Sequence, residues 1–258
     1  GYTGKPLLAE QLDAKPGEPA RSFYLDPTGG GGGYHLREVS LDIPLGSFVA
    51  FVGASGSGKS TMIDLLLSLL IPTHGSITID GTPLAGVTKS WRDRVAYVPQ
   101  DVALFDASIA QNVALTWTDD YDRARVQTAL EHAHIWELVS SCEGAIDAQV
   151  GERGMALSGG QRQRLGIARA LYTDPLVLVM DEATSALDTR TEAAVSESIA
   201  ALTGERTLIV VAHRLSTVKS ADRIFFMRDG RIAGAGTFEE LIATVPDFAQ
   251  QAGLAGLA

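Results

Sequence analysis

The chain has 258 residues, 45% of them hydrophobic and 20% charged, enough for one large or two small domains with a sizeable core. Its 21 Lys and Arg against 31 Asp and Glu give a net charge of −10, which argues against a duplex-binding surface. Cys142 is the only cysteine, so no intrachain disulfide can form, and a reducing compartment fits; no basic residue in its flanks activates the thiol. No stretch reaches the roughly 18–20 apolar residues that a membrane span needs, so this piece is expected to be soluble on its own. The N-terminus lacks the apolar core of a signal peptide.

Residues 1–20 read as a linker, interrupted by Pro6, Pro16 and Pro19 and dotted with charge. Gly29 to Gly33 is an unbroken glycine run, expected as a loop between two edge strands rather than a phosphate cradle, because no strand-to-helix transition follows it. Leu36 to Ile43 alternates in strand fashion and ends at the turn residues Pro44 and Gly46. Phe48 to Val52 is a short apolar run suited to a buried strand. Then comes Gly53-Ala54-Ser55-Gly56-Ser57-Gly58-Lys59-Ser60, followed by the helical run Thr61 to Leu67. Strand, glycine-rich loop and helix in this order form a phosphate-binding loop. The glycines let successive N–H groups face a triphosphate, Lys59 can reach the β- and γ-phosphates, and the Ser60 hydroxyl can hold Mg²⁺.

Gly75 to Gly81 reads as a strand closed by the Asp80-Gly81 turn, and Val95 to Val98 as a strand ending at Pro99-Gln100. From about 106 to 172 the pattern is helical. Tyr121 to Val139 carries apolar residues at Val126, Leu130, Ala133 and Leu138, near a 3.6-residue period. Strands return at Leu176 to Met180 and Thr207 to Val211, with an amphipathic helix from Glu192 to Leu202 between them. Alternating strands and helices predict an α/β fold with a mainly parallel sheet, an antiparallel β portion and an inserted helical portion spanning about 102–172.

The apolar run 176–180 ends in Asp181-Glu182, two carboxylates where open α/β sheets bind ligands. Asp181 is placed to hold Mg²⁺, directly or through water, and Glu182 is the candidate base for an attacking water. A second glycine cluster, Leu157-Ser158-Gly159-Gly160-Gln161, opens a predicted helix from Gln161 to Tyr172. The free N–H groups and positive dipole end of that helix make a second anion site.

Together these residues make the chain, from about 21 to 250, resemble the nucleotide-binding domain of an ATP-binding-cassette (ABC) transporter, a P-loop NTPase fold. Gly53–Ser60 matches the Walker A loop and 176–182 the Walker B strand. Leu157–Gln161 matches the signature, Gln100 the Q-loop, Ser185-Ala186-Leu187-Asp188 the D-loop, and His213 the switch histidine. Val150 to Gly154 resembles an exporter segment that contacts the membrane domain, although Ala148-Gln149 stands where Thr-Glu is commoner. Ala212 to Val218 and Asp222-Arg223-Ile224 are also exporter-like. Leu7 to Pro16 is similar to the linker from a membrane domain, and with Gly1 as first residue it suggests a piece of a longer chain.

The resemblance implies ATP and Mg²⁺ as cofactors, with Glu182, His213, Gln100 and Lys59 as the catalytic set. Gly53, Ser55, Gly56, Ser57, Gly58, Lys59, Ser60, Thr61, Gln100 and Asp181 would line one nucleotide; Ser60, Gln100 and Asp181 would serve the metal. Ser158, Gly160, Gln161 and Asp188 would meet the nucleotide across a head-to-tail dimer, formed with an identical or a different second nucleotide-binding domain. For the adenine, Tyr24 and Tyr34 compete as stacking partners; Tyr24 is favoured because Phe23-Tyr24…Pro27 resembles the usual aromatic-proline context. The implied partner is a transmembrane domain, and the implied location is the cytoplasmic face of the cell membrane. Export is the expected direction, and nothing in the chain selects a cargo.

Two other readings weigh less. Soluble ABC ATPases acting on nucleic acid carry long additions, but Lys59 and Ser158 are only 99 residues apart, too close for a coiled-coil arm. A non-hydrolysing ATP switch fits poorly with Glu182 and His213 both present.

Overall fold

In a computed structural model, the described residues are 22–26, 36–151, 155–181, 199, 202–212 and 214–257; for 22–26 only the backbone is described. Three sheets organise the described residues. β1 (Ser22–Asp26), β2 (Leu41–Pro44), β4 (Ser76–Ile79) and β5 (Thr82–Pro83) form an antiparallel sheet in the order β2-β1-β4-β5. The large sheet has the order β12-β11-β3-β10-β9-β6, built from β3 (Phe48–Val52), β6 (Val95–Val98), β9 (Val177–Asp181), β10 (Thr207–Ala212), β11 (Arg223–Arg228) and β12 (Arg231–Gly236). Its strands run parallel except β12, which returns antiparallel on β11. A small ribbon joins β7 (Ala107–Ser108) to β8 (Gln149–Val150).

Among the described residues the helices in chain order are α1 (Lys59–Leu66), α2 (Leu84–Arg92), α3 (Ile109–Ala114), α4 (Arg123–His132), α5 (Trp136–Ser141), α6 (Gly159–Tyr172), α7 (Phe238–Thr244) and α8 (Pro246–Leu254). The family-like architecture is therefore present: a P-loop α/β core with a mainly parallel sheet, an antiparallel β portion, and helices α3–α6 inserted between the neighbouring strands β6 and β9. No helix among the described residues is long and apolar enough to cross a membrane.

The central strands β3, β9 and β10 of the large sheet are buried on both faces, which is why they are continuously apolar. Alternate residues supply two cores. Val49, Phe51, Val177, Val179, Ile209 and Val211 pack with Met62, Ile63 and Leu66 of α1, with Trp91, and with Leu41, Ile43, Ile77 and Ile79 of the antiparallel sheet. Ala50, Val52, Leu178, Met180, Leu208 and Val210 pack instead with the inserted helices and with Phe238 and Phe248 of α7 and α8.

Three sequence expectations change. The strand expected over 36–43 is confined to Leu41–Pro44. The helix expected over 121–139 is two, because the chain leaves the helical path at His134 (φ 53°) between α4 and α5; Val126, Leu130 and Ala133 are nevertheless buried as the period requires. β1 is an interior strand, not an edge, since β2 and β4 flank it. The glycine run 29–33 and nearly all of the helix expected over 192–202 lie outside the described residues.

The inserted helices are fastened to the chain that follows Gln100. Asn112, fully buried, accepts from Phe105 N (2.9 Å) and donates to the carbonyls of Phe105 (3.1 Å) and Ser108 (3.0 Å). Arg169 of α6 donates to Asn112 O (2.8 Å), Asn112 Oδ1 (3.2 Å) and Ala103 O (3.0 Å) while its guanidinium lies over the Phe105 ring. Asn112→Ala strips partners from several buried backbone groups at once and should cost about 3 kcal/mol of unfolding free energy in urea titration, given about 1–3 kcal/mol for each buried group left unpaired.

Candidate nucleotide site

The phosphate loop is held in shape from below. Ser57 N donates to Ala54 O (3.2 Å), and Gly230 N donates to Ser57 O (3.1 Å). Gly230 sits with Asp229 in the two-residue turn between β11 and β12, both at positive φ (75° and 50°), the geometry of a tight hairpin turn. The C-terminal hairpin thus buttresses the loop, a role marked in the sequence only by the Asp229-Gly230 dipeptide. Gly53 lies so close to β11 that an added Cβ would be 2.2 Å from the Met227 carbonyl oxygen.

The loop's surface is ready for an anion. Ser55, Gly56 and Ser60 are exposed, whereas Lys59 and Ser57 are buried. Lys59 Nζ donates to Gly53 O (2.8 Å) and Ala54 O (2.9 Å), which holds the ammonium inside the loop. Ser57 Oγ is buried with no hydrogen-bond partner among the described residues. Thr61 follows Ser60 in the first turn of α1, whose N-terminus carries the loop and whose dipole points its positive end at it. A glycine that tolerates no side chain, an orphaned buried hydroxyl and a buried ammonium fit a triphosphate.

Asp181 ends β9, half-buried, and Tyr97 Oη donates to its Oδ2 (3.3 Å). The phenol is pushed up to about 12, first by burial and then by the nearby Asp181 and Asp64 carboxylates. Sequence reasoning passed over Tyr97, which carries no motif. Among the described residues no group of three His, Cys, Asp or Glu could hold a metal. Mg²⁺ in a nucleotide site takes only one or two protein oxygens beside phosphates and water, so the Ser60 hydroxyl and the Asp181 carboxylate suit it. Gln100 is exposed just beyond β6.

The second glycine cluster starts α6 as expected. Ser158 is the N-cap: its Oγ accepts from Gln161 N (3.2 Å), and Gln161 Oε1 accepts from Ser158 N (2.8 Å). This capping box satisfies the third helical N–H and leaves the Ser158 hydroxyl its own hydrogen to donate. Ser158 and Gly159 are exposed, and Gly160 is buried. Further along α6, buried Gln163 donates to Pro99 O (3.3 Å), and Gly166 passes so close to Val102 that a Cβ would come within 2.5 Å of Cγ2. The helix therefore holds both sides of Gln100. Glu182, Asp188, His213 and Tyr34 lie outside the described residues. Tyr24 is described only as backbone, paired in register with Asp42 and Thr78.

Comparison with known proteins follows the same lines. The family described as "ABC transporter" matches residues 36–185. An ATP-dependent lipid A-core flippase of Cupriavidus pinatubonensis is 44% identical over 211 residues, covering 81% of this chain and 36% of that protein. A sophorolipid transporter of Starmerella bombicola is 42% identical over 216 residues, covering 80% of this chain and 17% of that protein. The solved structure of a bacterial Atm1-family ABC exporter with ATP bound superposes with a TM-score of 0.80 at 38% identity, over 93% of this chain and 43% of the other. The chain thus spans about a third of the length of the curated flippases it matches.

Gly53→Ala should lower ATP affinity by at least about tenfold in calorimetry, because the new methyl collides with the Met227 carbonyl and the φ of 150° strains any side chain by about 1–3 kcal/mol. Gly56→Ala, also at positive φ (78°) but with nothing within 4 Å, should cost only the strain of about 1–2 kcal/mol.

Proposed function

Because this chain belongs to the ABC transporter family, as a nucleotide-binding domain that binds and hydrolyses ATP, we propose that it powers export across a membrane through an ATP-driven head-to-tail dimer. One observation carries the reading. Two helix N-termini in a single chain, those of α1 and α6, present exposed anion-ready groups, yet one nucleotide needs only one phosphate cradle. The surplus is explained if the Ser158-Gly159-Gly160-Gln161 end, together with Asp188, serves the nucleotide bound by a second domain.

Within one chain, Lys59 binds the β- and γ-phosphates, and the loop from Gly53 to Thr61 cradles them with backbone N–H groups. Ser60 and Asp181 would hold Mg²⁺, with Gln100 beside the metal and the attacking water; when bound, the ion would supply positive charge to the phosphates. Glu182 takes the proton from that water, and His213 fixes its position. Tyr24 stacks on the adenine. In this reading residues 1–20 link a transmembrane domain to a cassette spanning 21–258, with the helical portion at about 102–172. The Gln100 loop and 148–154 pass motion to that domain on the cytoplasmic side. The flippase and exporter likenesses support the export direction.

Dimerisation tests the shared site. Without nucleotide, two subunits of charge −10 repel, so the isolated domain should run as a monomer. Glu182→Gln in saturating ATP and Mg²⁺ should accumulate as a dimer in light scattering, because bound nucleotide favours the form that binds it twice and is not consumed. Adding Ser158→Arg should return the protein to monomer. A Glu182→Gln protein that stays monomeric would overturn the shared-site reading.

The adenine contact is tested separately. Tyr24→Ala should weaken ATP binding by about 1–3 kcal/mol and Tyr34→Ala should leave it nearly unchanged, as measured by calorimetry. The reverse order would transfer the stacking role to Tyr34.

A further inference from the structure

We propose that the Tyr97 hydroxyl sets the orientation of the Asp181 carboxylate for Mg²⁺, making Tyr97 a positioning residue of the metal site; this rests on the reading of Asp181 as the metal's carboxylate. Sheet register brings the two together. β6 pairs parallel to β9 with Tyr97 opposite Val179, and Asp181 lies two residues further on the same face. Two residues span about 6.6 Å of strand, which a phenol leaning toward the C-terminal edge can bridge. Tyr97 Oη reaches Asp181 Oδ2 at 3.3 Å.

The face is the functional one. Val95, Val177 and Val179 on this side pack in the core that contains Met62 and Ile63 of α1, the helix that carries the phosphate loop. The Tyr97 ring stands on that side of the sheet with its hydroxyl turned to the Asp181 carboxylate. The hydroxyl has one hydrogen, and Asp181 receives it. A carboxylate rotates broadly about its last torsion, and only a fixed partner decides which oxygen faces the metal. Mg²⁺ demands near-ideal octahedral geometry and so depends on that choice, whereas Ca²⁺ accepts flexible geometry.

The two ions give a readout that a merely structural tyrosine would not move. The probe is MgCl₂ or CaCl₂ titrated into the domain with a fluorescent, non-hydrolysable ATP analogue, with melting of the metal-free protein as a control. Tyr97→Phe should raise the Mg²⁺ concentration for half-saturation by about three- to tenfold and the Ca²⁺ value by less than about twofold. The expected loss is below the roughly 10–100-fold typical of outer-shell partners because the contact is long and partly exposed. Unchanged Mg²⁺ dependence, or an equal rise for both ions, would overturn the proposal. If Tyr97→Phe melts early, Tyr97→His, which keeps a ring and an N–H donor, carries the test: Mg²⁺ half-saturation within about threefold of wild type supports it and a larger rise overturns it. Asp181→Asn separates the two levels. A large rise there with none in Tyr97→Phe removes Tyr97 alone, and no rise there removes the metal assignment as well.

Discussion

Burial of the central strands of the large sheet on both faces is the constraint on which the rest depends. A parallel sheet with two covered faces can expose only its ends. Here β3, β6 and β9 all finish at one edge, and that edge delivers the phosphate loop, Gln100 and Asp181. Each apolar strand is fixed by the cores above and below it, so the polar residues that follow it begin from rigid positions. That rigidity is what a site needs when its chemistry is almost wholly positioning and electrostatics.

The phosphate loop shows how such rigidity is extended beyond the sheet. Gly53 is pressed against the Met227 carbonyl and Ser57 is tied to Gly230, so the loop rests on the β11–β12 hairpin rather than on its own glycines alone. Lys59 is gathered into the loop by two carbonyls, which keep a buried ammonium solvated by protein dipoles. A triphosphate would take over that solvation with full negative charge.

The inserted helices are coupled to the same edge by polar contacts as well as packing. Gln163 grips Pro99, Gly166 sits on Val102, and Arg169 holds Ala103 and Asn112. The segment after Gln100 cannot move far without breaking hydrogen bonds to α6, and half-burial that lowers the pKa of the Arg169 guanidinium raises the cost of losing its partners. Ser158 at the start of that helix is therefore mechanically linked to the neighbourhood of Gln100, although the two are far apart in sequence.

The sequence by itself determined what contiguous residues encode. The loop Gly53–Ser60, the capped start of α6 at Ser158 and the apolar runs of β3, β9 and β10 were legible because each is a local backbone requirement written in adjacent side chains. The tertiary structure alone decided which strands are neighbours. It placed β1 inside the antiparallel sheet, set the Asp229-Gly230 turn beneath the phosphate loop, and aligned β6 with β9 so that Tyr97 meets Asp181. No pattern within Val95–Val98 records its partner strand, because alternation fixes which face a side chain takes but not the register against a strand 82 residues away; that is fixed only when both faces of the sheet are packed.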